Sequence, residues 1–184
     1  YCDPPREIVG CTSEAALARR QVQRICQHHL FAQGAVVQRG LTLTATLKRL
    51  PDWRARFAAE MDRQRRDPHA WGQHDCALGL AAGAVVAITG LDLAAPWRGR
   101  YATPLGAARV RRCGGFATLG DMVASVLPEV PPAFANIGDI GVLSADGPVA
   151  EALCVVDASG LIVMTEDGHG RRPREDMHRA FRVG

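Results

Sequence analysis

Cys76 is the residue of this 184-residue chain best placed to do chemistry. It follows His74 and Asp75 directly, and the apolar run "ALGLAAGAVVAITG" begins right after it. That run reads as a helix stopped by Gly90, which puts the thiol at the positive end of a helix dipole, among backbone N–H groups with no intrahelical partner. Such a setting favours the thiolate, the reactive form. The same N–H groups can hold an oxyanion during acyl transfer, and a nearby imidazole would complete a thiol–imidazole pair. A second reading stands beside this one: Cys76 packs as a small apolar residue while Asp75 caps the helix.

The candidate bases are few. His28 and His29 lie in the first forty residues, His69 and His74 flank the turn before Cys76, His169 follows in "EDGHGRR", and His178 opens the last strand-like stretch. The six cysteines, at 2, 11, 26, 76, 113 and 154, include no Cys-x-x-Cys pair. Cys2, Cys11, Cys26, His28 and His29 match no zinc-ligand spacing, so the cysteines read as free, partly buried thiols and no metal is expected.

The elements that position these residues follow from pattern. The chain is 47% hydrophobic and 22% charged, enough apolar material for a packed core. A net charge of +3, with the arginines scattered, is too small to argue for nucleic acid. No apolar run reaches the ~18 residues of a membrane span, and no signal-peptide pattern opens the chain. Residues 1–46 read as a separate extension: a short strand in "REIVG", then a helix capped near Thr12 or Ser13 and running to about residue 32. From residue 47, "LPDWRARFAAEMDRQRRD" reads as a helix with Trp53, Phe57, Ala58 and Met61 on its buried face. The Ala/Gly helix, a helix at about 104–112 and an amphipathic stretch ended by Pro128 follow. Gly79 and Gly83, one turn apart, predict close approach of a neighbouring element. Strands are expected at 140–143, 151–157, 161–166 and 177–183, and helices followed by a small antiparallel sheet make an α+β domain.

Trp71-Gly72, Asp75-Cys76, the loop "WRGRY" at 97–101, Gly138-Asp139 and the closing "HRAFRVG" form a set. Over residues 47–184 this set resembles the NlpC-like branch of the papain-fold cell-wall peptidases. More narrowly, it is similar to small proteins of that type encoded beside tail genes in phages and gene transfer agents. The resemblance implies a papain-like α+β fold, Cys76 as nucleophile with Asp75 beside it, no cofactor, and attack of the thiolate on peptide bonds of peptidoglycan. The family's base histidine opens the second strand of the sheet. The matching stretch here, "VAEALCVVD", has none, and Glu151 lies near that slot. His169 is the first candidate to stand in for it and His74 the second. The extension at 1–46 resembles segments of phage tail-tip hub proteins, which implies docking to tail hub or baseplate proteins, production in the bacterial cytoplasm and a place in the virion tail. The missing histidine leaves the alternative open: a non-catalytic tail component that uses a papain-like fold as an interaction scaffold.

Overall fold

A computed structural model describes residues 47–184. The strand, helix and docking role expected of residues 1–46 lie outside the described residues.

The first helix, α1 (Trp53–Gln64), starts at Asp52, whose side chain makes no capping bond. Phe57 and Met61 are buried as the spacing predicts, but Ala58 is exposed and Gln64 is fully buried in its place. Gln64 is tolerated there because its amide Nε2 donates to Gly79 O at 3.1 Å and to Glu60 Oε1 at 2.8 Å. A Cβ on Gly83 would sit 2.1 Å from that same Nε2. Gly83 is therefore where α1 crosses the central helix, while Gly79 makes room for His74.

That central helix begins as a π-helical turn, Cys76–Ala81, and continues as α2 (Ala82–Thr89), with Gly90 closing it at φ +79°. It is apolar nearly all round because it is wedged between α1 and the sheet: Leu80, Ala84 and Ile88 are fully buried. Two shorter helices follow. Thr103 caps α3 (Pro104–Cys113) through Gly106 N. A reciprocal Thr118–Asp121 pair caps α4 (Leu119–Ala124).

Six strands form one antiparallel sheet: β1 (Glu129–Val130), β2 (Ile140–Ser144), β3 (Glu151–Asp157), β4 (Gly160–Thr165), β5 (Gly168–Arg172) and β6 (Met177–Phe181), in the order β1-β6-β2-β3-β4-β5. The domain is mixed α+β, helices first and sheet second. The central strand β3 reads as a continuous apolar run, "ALCVV", because both its faces are covered. Leu153 and Val155 join the helix-side core with Leu80, Ile88 and Phe181. Cys154 and Val156 join Leu143, Leu161 and Met177 on the other side. The strands expected from the sequence leave "GHGRR" out, between 166 and 177. The turn is at Glu166-Asp167, and "GHGRR" pairs with β4 as a further strand, His169 opposite Met164. Glycine and arginine carry little strand signal of their own, so here the partner strand supplies the structure.

A clasp joins the two ends of the described domain. Asp139, fully buried, accepts from Arg49 Nη2 at 2.8 Å, Val183 N at 3.0 Å and Asn136 N at 2.7 Å. Arg49 Nε also donates to Val183 O at 2.8 Å. The Gly-Asp pair of the sequence motif is thus a structural joint: Gly138 has φ +87°, and a Cβ on it would meet Ile88 Cδ1 at 2.5 Å. Cys76 and Cys154 are free thiols. Cys113 is disulfide-bonded, which corrects the expectation of free thiols throughout. Among the described residues no helix is long and apolar enough to cross a membrane.

Candidate functional site

The turn before Cys76 is built around one carboxylate. Asp75 is fully buried. Its Oδ1 accepts from Ala77 N at 2.9 Å and Leu78 N at 2.8 Å, and its Oδ2 from Gly72 N and the Tyr101 hydroxyl, both at 2.8 Å. Gly72 is required: its φ is +78°, and a Cβ there would lie 1.7 Å from Tyr101 O. Four hydrogen bonds make a buried carboxylate tolerable without a cation. They also take up two of the helix-start donors, the N–H groups of Ala77 and Leu78. The next two N–H groups, of Gly79 and Leu80, both go to Asp75 O at 3.0 Å, which is what widens this turn to the π form.

Cys76 is half-buried beside that carboxylate and against β3. Burial pushes its thiol up to about 11, and the Asp75 charge pushes the same way. Hydrogen bonds from the Leu153 backbone and from its own backbone pull down and lose. The lowered pKa expected of a helix-start thiol is therefore reversed: desolvation and a neighbouring anion outweigh the dipole.

The thiol opens into a cleft lined also by Trp71, Trp97, Tyr101, Arg111 and Glu151. No histidine is among the residues lining it. Glu151 opens β3, near the slot the sequence comparison gave it. Its Oε2 accepts from Gly120 N at 2.8 Å, and its Oε1 lies 3.5 Å from Nε2 of the exposed His178. The residue before it, Ala150, holds a left-handed φ of 63°, which costs a non-glycine residue about 1 kcal/mol. Burial, then the Asp75 charge, pushes the Tyr101 hydroxyl well above the ordinary tyrosine range, so it stays a donor. The "WRGRY" loop is anchored by its own side chains: Tyr101 on Asp75, and Arg98 on Leu78 O at 2.9 Å and on Asp92 at 2.8 Å.

His74 and His169 form a second cluster. The His74 ring packs on the central helix, where a Cβ on Gly79 would lie 2.6 Å from its Nδ1. Nε2 of His74, Nε2 of His169 and Oε1 of Gln64 are all buried without a hydrogen-bond partner. Burial first, and the His74 charge second, push the His169 pKa down. Of the four sequence-predicted site residues, Asp75 and Cys76 are thus brought together at the cleft, while His74 and His169 are absent from its lining and His169 feels the His74 charge. No group of three or more His, Cys, Asp or Glu among the described residues is arranged to hold a metal.

Sequence reasoning missed Arg111. It falls three and four residues after Ala108 and Ala107 on α3, a spacing that puts all three on one helix face. That face turns inward: Ala108 is fully buried and Arg111 is 8% exposed.

Residues 48–183 match the family model of a domain of unknown function, DUF6950, and the chain belongs to that family. No curated protein and no solved structure matches it.

Proposed function

We propose that this DUF6950 protein is a degenerate relative of the NlpC-like papain-fold peptidases, a phage-tail-type component that binds through the Cys76 cleft and does not cleave. One observation carries the reading: no imidazole lines the cleft of the thiol at the nucleophile position, whose neighbour is instead the buried carboxylate of Asp75, and burial and that charge push the thiol's pKa up. A thiol needs a base within hydrogen-bond reach, directly or through one water, to attack a carbonyl at neutral pH. Glu151, in the slot where the family keeps its histidine, is another carboxylate. A carboxylate near a thiol raises the thiol's pKa and opposes formation of the thiolate. The Asp-Cys step, the helix packed on β3 and the helices-then-sheet order support descent from the peptidases. The Asp75 bonds, the filled turn and the anchored loop support a retained scaffold. In this reading its partners are tail hub or baseplate proteins, with peptidoglycan peptides as candidate ligands of the cleft.

Alkylation of Cys76 by iodoacetamide, followed by mass spectrometry from pH 6 to 11, tests this. The rate is expected to rise tenfold per pH unit with no plateau below about pH 10. A plateau near neutrality, or release of soluble peptides from purified peptidoglycan that stops in Cys76→Ser, overturns the reading in favour of an active peptidase.

A further inference from the structure

Arg111 lines the Cys76 cleft, is 8% exposed, and has no carboxylate within ion-pair distance among the described residues. Its Nη1 donates to Phe116 O at 3.2 Å and to Ala117 O. Its Nε is buried with no acceptor. A guanidinium is charged at every accessible pH. A buried charge left without its counter-charge is costly, and the usual remedy is an anion. The carbonyls it caps relieve part of that cost and hold the guanidinium in place. They leave it with unspent donor capacity on the cleft wall.

We propose that the Cys76 cleft binds a peptide-like ligand by a carboxylate, received by Arg111. Carboxylate is the chemistry that the flat guanidinium fork matches best, with paired N–H donors. A neutral Cys76 adds no third anion to the two carboxylates, Asp75 and Glu151, that already line the cleft. Trp71 and Trp97 offer apolar walls to its aliphatic part. Glu151 presents an acceptor to a ligand N–H, which favours a peptide, bearing both groups, over a bare inorganic anion. The proposal rests on reading this cleft as a binding cleft, and it names what is bound.

Isothermal titration of the full chain with three probes tests it: N-acetyl-alanylalanine with a free carboxylate, its C-terminal amide, and amidated N-acetyl-alanylglutamate, whose only carboxylate is on the side chain. One or both carboxylate peptides are expected to bind about tenfold or more tighter than the amide. Arg111→Gln is expected to abolish that preference. Equal binding of all three, or binding of none, overturns the proposal. So does a preference that survives in a folded Arg111→Gln. The acid-against-amide comparison is made on the unaltered protein, so it stands even if that variant fails to fold. The alkylation profile of Cys76 is measured without peptide, so the two readings fail separately.

Discussion

The Cys76 cleft and the His74–His169 cluster hold, between them, the parts of a thiol–imidazole pair and keep them apart. On one side the thiol sits with two carboxylates and a guanidinium, all but one of its polar neighbours tied to backbone. On the other, two imidazoles and a glutamine oxygen are buried with bonding capacity to spare. The first region leaves one buried donor unpaired, Arg111 Nε, and the second leaves three buried polar atoms unpaired, one of them on the proton-sensitive His169. The difference teaches that an ancestral-looking sequence motif marks architecture before it marks catalysis. Asp75 and Asp139, the two acidic residues of the motif set, are both fully buried and both spend their hydrogen bonds on holding the chain.

The comparison can be broken most severely at Asp75. Asp75→Ala strands three backbone N–H groups and the Tyr101 hydroxyl, at about 1–3 kcal/mol each. The expected result is loss of on the order of 4 kcal/mol or more, read by urea denaturation, and a chain that barely folds. A loss below about 1 kcal/mol would show that the turn is not built on this carboxylate. Next in size is Glu151→His, which puts an imidazole at the start of β3 in the wall of the Cys76 cleft. Cys76 alkylation at pH 7 is expected to speed up about tenfold or more, one pKa unit's worth of thiolate. An unchanged rate would mean that the cleft lacks more than its base.

The smallest effect is at His169. Its folded pKa lies below its unfolded value, so the unfolded chain binds more protons as pH falls through the mid-six range. Stability from this group is therefore complete above the unfolded pKa and is lost on acidification. Thermal melts from pH 7.5 to 5 are expected to show a drop in Tm that becomes shallower in His169→Gln. The same variant is expected to leave Cys76 alkylation within twofold of the parent. A tenfold slowing would bring His169 back as the base.

Much of the frame was legible in the sequence. The cap at Asp75, the helix from Cys76 to Gly90 and strands β2, β3, β4 and β6 were marked by turn chemistry and by β-branched apolar runs, which act locally. β5 was not, because "GHGRR" is a strand only by virtue of β4 beside it. Gln64 was missed for a related reason: a buried amide is paid for by a carbonyl, Gly79 O, that lies fifteen residues away in the chain. Within the site, the sequence put Cys76, Asp75 and Glu151 in place but could not choose among the histidines. Whether a side chain ten or a hundred residues distant reaches a thiol depends on the sheet's order, and that order has no local signature. Arg111 was hidden by its neighbour: "RR" gives no sign of which arginine turns inward until the face shared with Ala107 and Ala108 is drawn.

The protonated state of Cys76 has one more consequence, in redox terms. Peroxides and disulfides react with thiolates, so a thiol kept near pKa 11 is slow toward both. Burial above all, with the Asp75 charge pushing the same way, thus slows oxidation of that sulfur.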